Sequence, residues 1–333
     1  MRNMKSLGLK MREATLAVSV MLAATAAAAV SAADVYPIKP IRLICSTTPG
    51  GANDTNARLM SFELSKRLGQ QVIVDNRGGG GGRIGTEIAA KAEPDGYTLF
   101  LVVTTNTIQP SLQKLPYDTL KAFVPIARTG CGTAVLSVHP SVPVKSVKEL
   151  VALAKQKPGD LIFSSSGAGS TAHLQTELFK EMAGIDFRIV QFRSAGPAII
   201  ALVGGHNNAS LGSIASMLPH IKSGRLRALG TSGDGRHFAL PDVPTIAEAG
   251  VPGYSSTSWY GISAPAGTPA PIVDRLNKEI EATLSSPEVQ QRFRDRGTEP
   301  CYLGGPPAFG PFIAQEMVKW ERLIKKANIR AGD

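Results

Sequence analysis

The stretch Ile41-Arg-Leu-Ile-Cys-Ser-Thr-Thr-Pro-Gly-Gly-Ala-Asn-Asp54 runs from an apolar segment through a glycine turn into a helical pattern. Within residues 55–68, apolar side chains recur at three- to four-residue spacing, which is typical of a helix with one apolar face. We expect Asp54 to cap this helix and Gly69 to end it. The stretch therefore predicts a strand, a tight turn and a helix in succession.

Strands and helices alternate in the same way along the rest of the chain. The predicted strands are residues 71–75, 97–103, 134–138, 161–164, 188–192 and 226–231. The predicted helices are residues 86–92, 147–155, 171–182, 199–203, 272–284 and 311–328. Because helices usually connect parallel strands, this order predicts an α/β protein with parallel sheet.

The turn before the first helix has the features of an anion site. Gly50 and Gly51 allow the backbone to turn tightly, and Asn53 follows them at the helix start. Backbone N–H groups there lack partners within the helix, and the helix dipole favours negative charge. Asp54 either caps the helix only or also holds the loop whose amides bind a ligand, and the two roles are compatible.

A second loop of this kind, Ser164-Ser-Ser-Gly-Ala-Gly-Ser-Thr-Ala-His173, lies between a predicted strand and a predicted helix. Its hydroxyl groups and glycine amides converge on a helix start, as a carboxylate or phosphate site requires. His173 falls in the first helical turn, where the dipole disfavours its charged form. It either bonds to a neighbouring backbone group or contacts a ligand, and the sequence leaves both roles open.

The segment Asn76-Arg-Gly-Gly-Gly-Gly-Gly-Arg-Ile-Gly85 formally contains the GxGxxG spacing of dinucleotide-binding proteins. Five successive glycines satisfy many patterns by composition alone, and no clear second strand ends in an acid at the distance that ribose binding requires. We therefore interpret the run as a flexible turn close to the first loop, and we expect no cofactor.

The first residues predict export. A basic start at residues 1–12 precedes an apolar run at residues 14–30, and small residues follow at positions 31–33. This order is typical of a secretory signal peptide with cleavage after Ala32 or Ala33. The alternative, a membrane anchor, is disfavoured because the apolar run is short and rich in alanine. We expect residues 1–33 to be removed and the mature protein to be periplasmic.

Composition excludes some classes of partner. The 333 residues are 43% hydrophobic and 19% charged, which fits a globular protein with a large core. The formal charge is +10, but basic and acidic residues are interleaved along the chain. Nucleic-acid binders instead cluster Lys and Arg on one surface with stacking aromatic side chains, so we expect no nucleic-acid partner.

The residues that carry chemistry show no catalytic or metal-binding pattern. One pair among Cys45, Cys131 and Cys301 could form a disulfide in an oxidising compartment, and the sequence does not decide which. Cysteines and histidines lack zinc-site spacing, so no metal is expected. Ser170 and His173 lack an acid placed to orient the histidine, and GxSxG is absent. An exported hydrolase is therefore the weaker alternative, and no catalytic residue is expected.

Many short motifs occur in order along the mature chain. They include Pro49-Gly-Gly-x-x-Asp54, Val74-x-Asn-Arg77, Pro94-Asp-Gly-Tyr-Thr-Leu99, Ser166-Gly-x-Gly-Ser170, Leu240-Pro-Asp-Val-Pro-Thr245 and Ala264-Pro-Ala-Gly-Thr-Pro269. In these motifs the chain resembles the Bug family of extracytoplasmic solute receptors, the receptor component of tripartite tricarboxylate transporters.

The resemblance implies an α/β, two-lobe periplasmic binding protein of type II, the Venus-flytrap type, with two hinge crossings. One lobe would comprise residues 34–132 plus 257–333, and the other residues 133–256. The hinges would lie near residues 130–133 and 255–259, where the chain crosses between the lobes and small residues predominate. The protein would be a monomer that captures a small organic carboxylate and delivers it to integral membrane transporter subunits. A sensor receptor that feeds signalling is the alternative that the sequence leaves open.

The resemblance and the two loops together indicate a ligand site. The candidate ligand-binding residues are Gly50, Gly51, Ala52, Asn53, Asp54, Thr105, Asn106, Ser165, Ser166, Gly167, Ser170, Thr171, His173, Arg193, Gly212 and Ser213. We expect amides and hydroxyl groups to hold the carboxylate, with Arg193 as the competing anchor. The residues around positions 105, 193 and 212 depart from the usual family pattern. This implies a roomier and less polar distal pocket, and it leaves aliphatic and aromatic acids as candidates.

Overall fold

The computed structural model describes residues 36–330, and the predicted signal peptide lies outside that range. The strands are β1 (Ile41–Cys45), β2 (Val72–Asn76), β3 (Thr98–Val103), β4 (Phe123–Val138), β5 (Ile162–Ser165), β6 (Arg188–Gln191), β7 (Ala209–Ser213), β8 (Arg227–Thr231), β9 (Thr257–Pro265) and β10 (Leu303–Gly304). The helices are α1 (Ala52–Leu68), α2 (Arg83–Ala90), α3 (Thr104–Leu112), α4 (Val147–Gln156), α5 (Thr171–Ala183), α6 (Ala195–Val203), α7 (Ile214–Lys222), α8 (Ala270–Leu284), α9 (Pro287–Arg294) and α10 (Gly305–Lys326). The predicted α/β class is confirmed.

One strand, β4, belongs to both halves of the sheet. The strand order is β2-β1-β3-β9-β4-β7-β5-β6, and β8 and β10 also pair with β4. Strand β1 is parallel to β2 and β3 in one half, and β5 is parallel to β6 and β7 in the other. In β4, residues 123–133 pair with β9, whereas residues 134–138 pair with β7 and β8. Two parallel half-sheets are therefore joined by antiparallel pairing at β4.

The chain passes between the halves along two neighbouring strands. Residues 130–133 of β4 pair with residues 260–257 of β9, in that order. The register shifts between Arg128 and Gly130, so β4 is irregular just before it crosses. The two crossings lie at or beside the small-residue segments, 130–133 and 255–259, in which the sequence predicts hinges.

Each half-sheet has its own apolar core. The first core includes Leu43, Leu99, Ile262 and Leu276, and the second includes Leu136, Phe163, Phe179 and Leu211. The C-terminal helix α10 contributes to more than one cluster. Its Phe309 packs with Phe100 and Trp259, whereas Trp320 and Leu323 lie in the second core. Helix α10 therefore packs on both half-sheets and holds them together.

No helix within residues 36–330 has the length and apolar character of a membrane span.

Sequence patterns did not predict helix α9, nor helices α3 and α7, which begin directly after strands. Both contain an interior proline, Pro110 in α3 and Pro219 in α7. Interior proline removes a helical hydrogen bond, so local propensity argues against both helices. A local capping bond and a tertiary contact, both made by Asn106, offset this preference in α3. Asn106 accepts a hydrogen bond from the Val103 N–H group and donates one to Thr86 Oγ1.

A disulfide joins Cys131 to Cys301, whose Cα atoms are 5.7 Å apart, and Cys45 is a free, buried thiol. The pairing that the sequence left open is decided by the fold, because the chain near Cys301 returns to the crossing strand. There Cys131 and Glu299 exchange backbone hydrogen bonds of 2.8 and 3.0 Å. The disulfide and this bridge together fasten the segment before β10 to β4.

Removal of the disulfide is expected to destabilise the fold. In Cys131→Ser/Cys301→Ser the free energy of unfolding should fall by about 2–4 kcal/mol, because a long loop is no longer closed in the unfolded chain. Urea unfolding of both proteins, with and without dithiothreitol, measures the loss. Reductant should lower wild-type stability to that of the variant and leave the variant unchanged. An equal effect of reductant on both proteins would contradict this explanation.

Candidate functional site

A cavity of about 770 Å³ is lined by both half-sheets and by both crossing strands. Its wall is formed by the β1–α1 turn, the β5–α5 loop, the starts of α3, α6 and α7, and the turn after α9. Ligands of α/β proteins bind beyond the carboxyl ends of the parallel strands, and this wall lies there. The volume falls within the range of about 300–1,000 Å³ that is usual for small-molecule sites.

Five helices begin at the wall of this cavity. Their N-cap residues, all of which line it, are Gly51 for α1, Val103 for α3, Ser170 for α5, Ser194 for α6 and Ser213 for α7. The first backbone N–H groups of a helix have no partner inside the helix. The positive ends of five helix dipoles therefore point towards one space, which favours a bound anion.

The side chains of the wall agree with this electrostatic arrangement. Among the described residues that line the cavity, none is acidic, and Arg296 is the single charged residue. Residues 36–330 contain no group of His, Cys, Asp and Glu placed to hold a metal ion. The cavity is therefore suited to an anion held by neutral donors, and it does not suit a cation.

Asp54 lies inside α1 rather than at its N-cap, so the expected cap is wrong. The N-cap is Gly51, which has no side chain that could cap the helix. Asp54 lies in the first turn of the helix. Its carboxylate reaches back to accept hydrogen bonds from Gly50 N–H at 2.9 Å and from Arg58 Nε at 3.0 Å. Burial alone would raise the pKa of Asp54, but these hydrogen bonds and the charge of Arg58 lower it below its usual value. Asp54, which does not line the cavity, thus holds the glycine turn in place.

The β5–α5 loop is held in a comparable way. Ser170 caps α5 by accepting a hydrogen bond from the His173 N–H group at 3.1 Å. The His173 Nδ1 atom accepts a hydrogen bond from Gly169 N–H at 3.1 Å. Its Nε2 atom lies 3.7 Å from Glu177 Oε1. Of the two roles left open by the sequence, the structure gives His173 the bond to a neighbouring backbone group. Its ring is therefore not bonded to Ser170 as a general base would be.

The glycine run forms a tight turn beside the first loop. Gly79, Gly80, Gly81 and Gly82 all have positive φ, between 57° and 118°, which other residues rarely adopt. A Cβ atom on Gly78 would lie 3.1 Å from Thr48, so the run packs closely on the β1–α1 turn, as predicted.

The candidate site residues fall into two groups. Those that line the cavity are Gly50, Gly51, Ala52, Asn53, Thr105, Ser165, Ser166, Ser170, Thr171, Gly212 and Ser213. Those that do not line it are Asp54, Asn106, Gly167, His173 and Arg193. Arg193 is exposed, whereas Asp54, Asn106 and His173 are buried behind the wall. Each of these three accepts a hydrogen bond from a backbone N–H group at or beside a helix start.

Sequence comparison assigns the chain to a family. A family model described as the tripartite tricarboxylate transporter family receptor matches residues 56–329. The chain belongs to this receptor family. Protein BugT of Bordetella pertussis is 35% identical to the receptor over 94% of this chain and 97% of its own length. A UPF0065 protein from the tcbD-tcbE intergenic region of Pseudomonas sp. is 35% identical over 90% of this chain and 89% of its own.

Solved structures resemble the receptor along almost their whole length. A protein of R. palustris solved with adipate has a TM-score of 0.77 and 35% identity, covering 89% of this chain and 99% of its own. MatC from Rhodopseudomonas palustris, solved with bound malate, has a TM-score of 0.72 and 29% identity, covering 87% of this chain and all of its own. These findings confirm the two-lobe binding-protein fold and the family inferred from the sequence motifs, which is a family of periplasmic solute receptors.

Much of the receptor's cavity wall was not identified from sequence. The lining residues that sequence analysis missed include Asn56, Thr104, Gln175, Ser194, Ala195, Gly196, Ala215, Ser216, Met217, Trp259, Tyr260, Arg296 and Thr298. A local signal existed at α6, because Ser194 is a preferred N-cap residue and Pro197 suits the first helical turn. No local signal marks Arg296, which reaches the cavity through long-range contacts.

Trp259 connects the receptor's cavity to helix α10. Its indole Nε1–H group donates to Glu316 Oε2 at 3.0 Å, and the Trp320 indole donates to the same oxygen at 3.2 Å. Lys319 Nζ lies 3.3 Å from Glu316 Oε1 and balances the charge. A buried carboxylate is tolerated where donors surround it in this way. Glu316 therefore fixes Trp259 in the cavity wall.

The receptor is expected to lose stability in Asp54→Asn. The change removes the charge that Gly50 and Arg58 bond to, and hydrogen bonds to charged groups contribute about 1.5–3 kcal/mol. A lowered native pKa stabilises the fold above the usual carboxyl pKa, and this contribution disappears as pH falls through the native value. The difference between wild type and variant should therefore shrink below about pH 5.

Urea unfolding between neutral and acid pH measures this difference. The matched control is Asp274→Asn, since Asp274 is exposed on α8. The control should match the wild type at every pH. A stability loss in Asp54→Asn that does not change with pH would rule out the contribution of the charge.

Proposed function

We propose that this receptor binds a small organic carboxylate in its cavity and delivers it to the membrane subunits of a tripartite transporter. The observation that carries the proposal is the convergence of five helix starts on a wall whose described residues include no acidic side chain. Adipate and malate, which accompany the two solved relatives, are the first acids to test.

The carboxylate would be held by neutral donors from both half-sheets. On one side are the first amides of α1, at Ala52 and Asn53, whose places in the first turn leave them without helical partners. On the other side are Ser166 and Thr171 in the β5–α5 loop. Ser165 supports this assignment, because its buried hydroxyl group has no hydrogen-bond partner within residues 36–330. Buried hydroxyl groups are normally bonded, and a carboxylate oxygen would complete the set.

A ligand that contacts both sides would hold the lobes together. We take the lobes as residues 34–132 plus 257–333 and residues 133–256, with the C-terminal part of α10 packed on the second core. Two glycines lie at contacts between them. A Cβ atom on Gly169 would come 2.5 Å from Leu112 Cδ1, and one on Gly297 would come 2.5 Å from Ala215 Cβ. These close approaches are those of a closed arrangement, and a ligand that bridges the lobes would favour it.

The role of the helix starts is tested by adding a negative charge at Gly51. This residue has φ −83°, and no atom lies within 4 Å of the position that a Cβ atom would take, so a side chain fits without strain. Gly51→Asp should weaken adipate or malate binding by about tenfold or more, because the added carboxylate repels the carboxylate of the ligand and competes with it for the N–H groups at the start of α1. Gly51→Asn is the matched control, since it has the same size without the charge.

Isothermal titration calorimetry with each acid measures the affinities. The Asn variant should bind much more tightly than the Asp variant, and both should unfold at or above the wild-type temperature, because both residues are good N-caps. Equal weakening in the two variants would show that size rather than charge matters. Absence of binding of either acid, and of a panel of aliphatic and aromatic carboxylates, to the wild type would contradict the proposed ligand class.

Ligand binding is expected to close the two lobes about the crossings at residues 130–133 and 255–259. Small-angle X-ray scattering at saturation with the acid should show a smaller radius of gyration than without it. Gly51→Asp, given the same acid concentration, should show no compaction. If one closed form fits the scattering of the wild type with and without ligand, the hinge is wrong and the cavity is preformed.

A further inference from the structure

Arg296 stands apart from the other residues of the cavity wall. Among the described lining residues it is the only one with a charged side chain. One of its guanidinium N–H groups, on Nη1, donates to the backbone oxygen of Arg292 at 2.8 Å. Within residues 36–330 no carboxylate forms an ion pair with it, so most of its donors are available to a ligand. An exposed arginine elsewhere on the surface would not indicate a binding site, but Arg296 lines a cavity whose helix starts favour a bound anion.

The turn that carries Arg296 is held in place by the backbone. The N–H groups of Arg296 and Thr298 both donate to Phe293 O, at 3.0 and 3.1 Å, and Gly297 N–H donates to Arg294 O at 2.9 Å. Immediately after the turn, Glu299 is bonded to the crossing strand, and the disulfide follows. The position of Arg296 is therefore fixed relative to β4 before any ligand binds, which lowers the entropy cost of using it.

The same turn touches the opposite side of the cleft. A Cβ atom on Gly297 would lie 2.5 Å from Ala215 Cβ and 2.9 Å from Ala215 Cα, so this glycine packs directly on the first turn of α7. Glycine is required there because φ is +66° and because no side chain fits. Arg296 is thus carried to the place where the two walls of the cavity meet, and its side chain is exposed there.

We propose that Arg296 binds a second anionic group of the ligand, so that the receptor selects acids with two anionic groups. This rests on the proposed function, in which the first carboxylate lies at the helix starts. The planar guanidinium group can donate two parallel hydrogen bonds to one carboxylate. The cavity of about 770 Å³ is far larger than one carboxylate needs, so a ligand can extend from the helix starts to Arg296.

The test compares acids that differ by one carboxylate. The probes are adipate against hexanoate, and malate against 3-hydroxybutyrate, each titrated by calorimetry into the wild type, Arg296→Gln, Arg296→Lys and Arg294→Gln. Wild type should prefer the dicarboxylate of each pair by about tenfold or more, as a charge-assisted bidentate contact allows. In Arg296→Gln the affinity for the dicarboxylate should fall until the preference is lost, while the affinity for the monocarboxylate stays the same.

The variants Arg296→Lys and Arg294→Gln test whether the guanidinium group of Arg296 causes the preference for the dicarboxylate. Arg296→Lys keeps the positive charge but loses the planar guanidinium group with its two parallel donors, so it should keep part of the preference for the dicarboxylate. Arg294→Gln removes an exposed arginine two residues away that does not line the cavity, and it should match the wild type. Thermal unfolding of each variant without ligand checks that the fold is intact.

The outcomes separate this inference from the function on which it rests. If the wild type binds mono- and dicarboxylates equally well, or if Arg296→Gln keeps the preference, the role of Arg296 is overturned while the receptor remains one for carboxylates. If neither these probes nor the panel of aliphatic and aromatic carboxylates binds the wild type, both proposals fail. Loss of affinity for both members of each pair in Arg296→Gln also overturns the second-anion role, because it would indicate a general effect on the cavity.

Discussion

The pairing between β4 and β9 at the crossing is the constraint on which the rest of the structure depends. Strand β4 supplies pairing partners to both half-sheets, and its central residues Gly132 and Thr133 line the cavity. The neighbouring Cys131 carries both the disulfide and the backbone bridge that fastens the turn with Arg296. Because the two crossings are bonded to each other side by side, relative motion of the lobes is restricted to bending about them. The same short ladder thus sets the fold, one wall of the cavity and the direction of any closure.

The cavity gains its character from where helices begin. Each start leaves N–H groups without partners inside the helix, and at three of the five starts a buried side chain behind the wall also accepts a hydrogen bond from a backbone N–H group at or just before the N-cap. Asp54 takes that of Gly50, Asn106 that of Val103, and His173 that of Gly169. Bonding from behind fixes the loop, since a loop held by one acceptor has fewer conformations to lose on binding. The remaining donors then face the cavity in a fixed geometry, which favours a bound anion without reorganisation.

The sequence was informative where the physical signal was local. Strand and helix periodicity gave the α/β class, and glycine turns before helices identified the β1–α1 and β5–α5 loops. Local signals failed for α3 and α7, whose prolines argue against helix formation until the neighbouring elements are in place. Local signals also did not distinguish residues that line the cavity from residues that hold the lining loops in place. A polar residue in a helix start has the same sequence signature whether it faces a ligand or bonds to backbone, so Asp54 and His173 were candidates for contact.

The use of amides at the centre and a single arginine at the edge follows from solvation. Helix amides attract an anion without carrying a net charge, so little desolvation opposes their place in the cavity wall. An arginine buried at the centre would cost several kcal/mol in lost hydration whenever no ligand paired with it. Arg296 avoids this cost because its side chain stays exposed, on a turn that meets Ala215 across the cleft. A receptor must also release what it binds, and a ligand held by Arg296 and by the helix starts of the other lobe loses one of these two contacts when the lobes open. The position of Arg296, the one charged group among the described lining residues, at the junction of the walls therefore couples affinity to closure.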